Sequence, residues 1–153
     1  MAKHPAWLHA LLGDDDLDAV VAAIRRAETG TSGEVRVHLE RRLPRSSRDD
    51  ALGRAREVFA RLGMDRTAAR NGVLIYLALV EHRLAVVGDE AVHARVGDGY
   101  WTRLRDALVD RLRAGHAREA IVAAVEDVGE VLHQHFPRRR DDVNELSDDV
   151  SAG

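Results

Sequence analysis

The 153-residue sequence has no cysteine, no long apolar run and little net charge. Without cysteine there are no disulfides, no thiolate catalysis and no cysteine-ligated metal. The longest apolar run, Val73–Val80, is far shorter than the ~20 residues of a membrane-spanning helix. His9 and Asp14 interrupt the N-terminal apolar segment, so a signal peptide is not predicted. A net charge of −3 creates no general field for nucleic acid. We therefore expect a cytoplasmic protein with no membrane segment of its own and no nucleic-acid partner.

Familiar catalytic motifs are also missing from the sequence. It contains no G-x-S-x-G elbow, no phosphate-binding P-loop and no H-E-x-x-H zinc motif. Apolar residues make up 45% and charged residues 32% of the chain, as in ordinary globular domains. These features indicate one domain over residues 1–137 and a polar C-terminal tail over 138–153.

Hydrophobic periodicity predicts the order α-β-α-β-β-α-α. Gly33–Glu40 alternates strictly between apolar and polar residues, which is typical of a strand with one wet face. Gly72–Val80 is apolar throughout and is predicted to be a central strand, with Leu84–Val87 returning antiparallel to it. Four stretches with helical spacing surround these strands, and Ser47 with Asp50 resembles a capping box before one of them. The predicted fold is a small mixed α/β sheet sandwiched by helices.

This topology brings polar residues together at one edge of the sheet. Parallel pairing of the first two strands places their beginnings side by side, and the antiparallel third strand ends at the same edge. The residues expected there are Glu34, Arg70, Asn71 and Asp89. Carboxylate and amide oxygens suit Ca²⁺ or Mg²⁺ better than Zn²⁺, whereas the arginine could hold a phosphate or balance the acids.

Simpler interpretations of the same residues remain open. Asp89 and Asp98 could each cap a helix, and Asn71 with Gly72 could be only a turn. In open parallel sheets, moreover, ligands bind at the carboxyl ends of the strands. That opposite edge would carry Glu40, Glu81, His82 and Arg83.

The segments "GEVRVHLE", "RNGVLIYLAL", "AVVGDEAVHARVGDGYW" and "HFPRRRDDVNELSDD" occur in this order along the chain. Together they resemble the TPM domain, in its short bacterial branch, from about Leu17 to Asp148. The resemblance implies an α/β sandwich around a small mixed sheet. Members of that family are linked to photosystem II repair in the thylakoid lumen, to acid phosphatase activity in plants and to acetylcholine receptors as auxiliary subunits. Several bind divalent cations, notably calcium, in an acidic pocket.

The resemblance also implies a set of site residues. Asp89, Asn71, Glu34 and Asp98 become candidate ligands of a weakly held Ca²⁺ or Mg²⁺, supported by Arg70, Gly88 and His93. The function expected on this basis is a cation-binding module that docks a protein partner, including one at a membrane. The alternatives are a metal-dependent phosphomonoesterase, with Asp89 as nucleophile or ligand and Arg70 as phosphate clamp, and a metal-free structural adaptor.

Overall fold

The structure, a computed structural model, describes residues 5–138 and 150–153. Most of the tail predicted over 138–153 therefore lies outside the described residues. The elements, in chain order, are α1 (Ala6–Leu11), α2 (Asp14–Glu28), β1 (Glu34–Glu40), α3 (Ala51–Arg61), β2 (Gly72–Ala78), β3 (Arg83–Gly88), α4 (Glu90–Arg113), α5 (Ala117–His135) and β4 (Ser151–Ala152).

The four strands form one mixed sheet in the order β3-β2-β1-β4. The predicted pairing of the first three strands is confirmed: β1 and β2 are parallel with Glu34 opposite Gly72, and β2 and β3 are antiparallel with Val73 opposite Gly88. The central strand ends at Ala78 rather than at Val80, because the chain turns over residues 79–82 towards β3. The Leu79 and Val80 amides still donate hydrogen bonds to the Glu40 and Arg41 carbonyls. The mixed α/β fold class is therefore confirmed.

Strand β2 is buried along its whole length because helices cover both faces of the sheet. Its residues alternate between two apolar clusters, as the two-residue period of a strand requires. One cluster lies under α3 and includes Leu74 and Tyr76. The other lies under the remaining helices and includes Val73, Ile75 and Leu77. The uninterrupted apolar character of this strand follows from its two covered faces.

Helix α4 has a kink at Gly97, so its two parts run in different directions. Gly97 has φ 76° and ψ 172°, a conformation that a side chain would strain. The sequence predicts two separate helices here, and the non-helical backbone of Gly97 divides α4 into two helical parts, in agreement with that prediction. The first part continues from the end of β3, and the second part packs beside β3 and α5.

Two local details differ from the sequence prediction. Asp50, not Ser47, caps α3, since its side chain accepts a hydrogen bond from the Gly53 amide. Residues 151 and 152 form a short strand parallel to β1, which the sequence pattern does not predict.

Among residues 5–138 and 150–153, no helix is both long and apolar enough to cross a membrane.

Candidate functional site

The structure brings together the residues predicted at the amino ends of β1 and β2. We call this edge, formed by Glu34, Arg70, Asn71 and Asp89, the amino rim. Backbone hydrogen bonds hold it closed: the Glu34 amide donates to the Asn71 carbonyl at 3.5 Å, and the Asp89 amide donates to the Gly72 carbonyl at 2.9 Å. Arg70 has a left-handed φ of 53°, and its carbonyl accepts a hydrogen bond from the Ala91 amide in the first turn of α4.

Asp89 has two tasks at the amino rim. Its Oδ1 accepts a hydrogen bond from the Glu90 amide at 2.7 Å, so the predicted helix-capping role is present. Its two carboxylate oxygens also accept hydrogen bonds from Arg70, with Nε at 3.0 Å and Nη2 at 3.2 Å. The forked contact with Asp89, reinforced by Glu90, raises the pKa of Arg70 above its ordinary value. Arg70 thus balances the acids and engages Asp89 with both nitrogens.

Asn71 and Glu34 lie behind this ion pair and are almost fully buried. The Asn71 amide nitrogen donates to Ser32 Oγ at 3.1 Å, which ties the start of β2 to the loop before β1. Asn71 is therefore more than a turn residue, because its side chain spans two segments of the rim. Asp89 is also mostly buried, so the exposed component of the rim is the guanidinium of Arg70.

Asp98, His93 and Gly88 belong to a neighbouring arrangement around Trp101. The indole N–H of Trp101 donates to His93 Nδ1 at 3.0 Å, which leaves the ring proton of a neutral His93 on Nε2. That nitrogen faces Asp98 Oδ1 at 3.5 Å. Gly88 lies under the indole ring, since a Cβ at this position would come within 2.3 Å of it. Asp98 itself is almost fully solvent-exposed, and within residues 5–138 and 150–153 its side chain caps no helix, contrary to the simpler interpretation above.

The fit of these residues to a divalent cation depends on Arg70. Within residues 5–138 and 150–153, no three His, Asp or Glu side chains converge as a ready-made metal cluster. The carboxylates of Asp89 and Glu90 do approach one point, and that point is held by the Arg70 guanidinium. The Arg70 side chain is 43% exposed and can turn into solvent. Asp89 and Glu90 are thus the two carboxylates at this point, and the Arg70 guanidinium lies between them.

The opposite edge of the sheet carries a buried charged network that the sequence analysis missed. Glu40, at the end of β1, accepts hydrogen bonds from Arg54 Nε at 2.9 Å, Arg54 Nη2 at 2.8 Å and Tyr76 Oη at 2.6 Å. Burial alone would raise the pKa of Glu40, but these bonds and the nearby His38 hold it well below its usual range. Burial and the bond to Glu40 raise the pKa of Tyr76. The one available signal was a tyrosine inside an otherwise apolar strand.

Strand β4 also contacts this network. His38 Nδ1 lies 2.8 Å from Ser151 Oγ, and His38 Nε2 lies 3.8 Å from Glu40 Oε2. The ring of His38 stacks on Tyr76 with centroids 6.1 Å apart. The other candidates at this edge are separate from the network: Arg83 pairs with Asp49, and Glu81 accepts a hydrogen bond from the Leu43 amide. These contacts are those of a structural clamp rather than of an open ligand site.

Comparison with known proteins agrees with this architecture. The TPM domain profile matches residues 8–131. The BA42 protein of the psychrophilic bacterium Bizionia argentinensis, solved by NMR, is 37% identical, with a TM-score of 0.82 over 93% of this chain and 95% of that one. The N-terminal domain of a P. gingivalis protein is 17% identical, with a TM-score of 0.68 over 85% of this chain and 83% of that one. The N-terminal domain of cg2496 from Corynebacterium glutamicum is 14% identical, with a TM-score of 0.63 over 96% and 95%.

The last two similarities concern the fold alone, whereas the profile and the BA42 protein concern the sequence as well. No curated protein matches the chain. The profile covers most of the chain and includes every residue of the amino rim. The chain belongs to the TPM domain family.

Proposed function

We propose that this TPM domain is a binding module that takes up Ca²⁺ or Mg²⁺ at the amino rim and presents the loaded rim to a protein partner. Asp89 is the central ligand in this proposal. Glu34 and Asn71 lie beside it, and Asp98 is linked to it through His93 and the first part of α4. The observation that carries the proposal is the arginine already held between Asp89 and Glu90.

The position of Asp89 is set by the fold rather than by Arg70. Its backbone amide bonds to Gly72, and its side chain caps α4, so the carboxylate stays in place when the guanidinium leaves. An entering cation would gain the carboxylates of Asp89 and Glu90 and would release Arg70 into solvent. Asn71 would bind the cation through its Oδ1, because its Nδ2 group donates the hydrogen bond to Ser32. With so few protein oxygens, the cation retains several waters and binds weakly.

Competition between Arg70 and the cation makes the proposal testable. We expect Arg70→Gln to bind Ca²⁺ or Mg²⁺ more tightly than the parent, because the resident positive charge is gone. Asp89→Asn should lose binding, while its asparagine still caps α4. Asp110→Asn is the matched control for charge, since this exposed carboxylate lies near the end of α4 and is not one of the candidate ligands.

The measurement is a thermal melt in EDTA, then in millimolar Ca²⁺ or Mg²⁺, for the parent and the three variants. A cation present at ten times its Kd stabilises the folded state by about 1.4 kcal/mol, which for a chain of this size is a shift of about 3–6 °C in Tm. A cation-dependent shift that increases in Arg70→Gln and disappears in Asp89→Asn supports the site. No shift in Arg70→Gln, or an equal shift in Asp89→Asn, contradicts it and favours the adaptor interpretation.

A further inference from the structure

A second surface, the β3 cleft, lies along the outer edge of the sheet. It is an open cleft of about 550 Å³ between the start of α3 on one side and the second part of α4 on the other. Its floor is the edge strand β3, from Arg83 to Val86. Trp101 stands at one end of the cleft, where its ring covers Gly88. The cleft is therefore a slot between two helices that lie on opposite faces of the sheet.

The floor of the β3 cleft offers backbone hydrogen-bonding groups. Strand β3 pairs with β2 along its inner edge. In the part of the chain that the structure describes, no strand pairs with its outer edge. Unpaired edge strands are templates for the addition of another strand, and proteins that do not use them usually cover them. Here the flanking helices narrow the approach but leave the slot open.

One wall of the cleft has a regular pattern of side chains. Trp101, Arg105, Val109 and Arg113 follow each other at intervals of four residues on α4 and line the cleft together. Four residues of an α-helix advance by about 6 Å. Two residues of a β-strand advance by about 6.6 Å. An extended peptide lying in the cleft would therefore place every second side chain opposite one member of this stripe.

The charges on the stripe are positive and largely unmatched. Arg113 makes no ion pair or side-chain hydrogen bond within residues 5–138 and 150–153, and Arg105 has one long contact of 3.5 Å, to the adjacent Asp106. The acids at the cleft are already engaged: Asp49 pairs with Arg83, and Asp50 caps α3. The free charge in the cleft thus complements an acidic ligand.

We propose that the β3 cleft binds an extended acidic segment of a partner protein as a fifth strand of the sheet. Its backbone would pair with β3, as in other strand-addition complexes. Its alternate side chains would be apolar, acidic, apolar and acidic, in the order that Trp101, Arg105, Val109 and Arg113 require. The cleft does not use the amino rim, so this inference stands independently of the cation site.

The probe for this proposal is a fluorescein-labelled peptide, Leu-Thr-Glu-Thr-Val-Thr-Glu, titrated with the full chain in a fluorescence anisotropy assay. One control peptide has lysine in place of both glutamates. Two further control peptides have N-methyl groups on alternate amides, one peptide for each of the two alternating sets, so each of them lacks the N–H donors of one strand edge. The protein variants are Arg105→Glu with Arg113→Glu, and Arg103→Glu with Arg111→Glu. The latter pair has the same spacing and charge change on α4 but does not line the cleft.

We expect the Glu peptide to bind the parent, and the Arg105/Arg113 variant to bind it about tenfold or more weakly. The Arg103/Arg111 variant and Asp89→Asn should bind it within about threefold of the parent, because neither changes the cleft. The lysine peptide should bind at least tenfold more weakly. The N-methylated peptide whose methyl groups block the edge that pairs with β3 should also bind at least tenfold more weakly. Far-UV circular dichroism establishes that both double variants are folded.

Three results would overturn the proposal. Equal losses in the two double variants would show attraction to net charge rather than to the cleft. Equal binding of the Glu peptide when either set of alternate amides is methylated would exclude strand addition. Displacement of the peptide by a single-stranded oligonucleotide, with the same dependence on Arg105 and Arg113, would assign the cleft to nucleic acid instead.

Discussion

Replacing Glu40 by glutamine removes the charge from a carboxylate that is 3% exposed and joins β1, β2 and α3. Arg54, with its side chain 12% exposed, would then keep a charge without its main counterion. Removing one partner of a buried ion pair costs about 3–5 kcal/mol. Glutamine retains an oxygen that can accept from Tyr76 or Arg54, so we expect a loss of about 3 kcal/mol in the free energy of unfolding at pH 7.

The same substitution should change how stability depends on pH. The pKa of Glu40 is lower in the folded chain than in the unfolded chain. Its stabilising contribution is therefore complete above the unfolded carboxyl pKa of about 4.3 and is lost as the pH falls towards the folded value. The difference between the parent and Glu40→Gln should narrow by about 1.4 kcal/mol for each pH unit below 4.

The assay is urea unfolding followed by circular dichroism at pH 7 and at pH 3, with Glu57→Gln as the matched control. Glu57 contacts the same arginine at 3.3 Å, but its side chain is 63% exposed. Exposed ion pairs are worth about 0–1 kcal/mol. For a chain of this size, a loss of 3 kcal/mol lowers Tm by about 6–12 °C. Equal effects of the two substitutions, or a difference that does not change between pH 7 and pH 3, would refute the reasoning.

Two further predictions concern individual positions. Gly88→Ala places a Cβ 2.3 Å from the Trp101 ring, so the ring must move. We expect a red-shifted tryptophan emission and a loss of about 1–3 kcal/mol in the free energy of unfolding by urea. An unchanged emission spectrum would contradict the packing of Trp101 over Gly88. Asp50→Ala removes the cap of α3, and we expect a loss of about 1 kcal/mol in the free energy of unfolding. Ser47→Ala lies outside the cap and should leave the hydrogen exchange of the first turn of α3 unchanged. A larger effect of Ser47→Ala than of Asp50→Ala would restore Ser47 as the cap.

The sheet could be predicted because its strands carry strong local patterns. The alternation in 33–40 predicts a strand with one wet face, the apolar run from Gly72 predicts a fully covered strand, and chain connectivity then places Asn71 beside Glu34. The wet face is wrong: apart from a half-buried Arg36, β1 is buried on both faces, and Glu34, His38 and Glu40 are each 3% exposed. The short strand at Ser151 has no such pattern. It depends on an open edge of β1, and only the assembled sheet provides that edge. Gly97 predicts a helix break, but whether the two helices diverge or continue is decided by packing.

The candidate site also has a part that the sequence predicts and a part that it does not. Topology predicts that Arg70, Asn71 and Asp89 share an edge, because only the order and direction of the strands are needed. Topology does not predict that Asn71 is buried against Ser32, or that Arg70 grips Asp89, since both depend on side-chain packing. The Glu40 network was missed for a related reason. Its arginine, Arg54, lies near the start of α3, and no sequence spacing relates that position to the end of β1.

The two arginine–carboxylate pairs at opposite edges of the sheet illustrate how burial decides function. Both are forked contacts at hydrogen-bond distance. Arg54 is enclosed, so no solvent is available to receive its charge, and breaking the pair leaves two groups without water. Arg70 is 43% exposed, so its charge is solvated whether or not it contacts Asp89. Separating Arg54 from Glu40 is therefore costly, whereas Arg70 can leave Asp89 at little cost. This difference, rather than the identity of the residues, is the reason for proposing the cation site at the amino rim and not at the opposite edge.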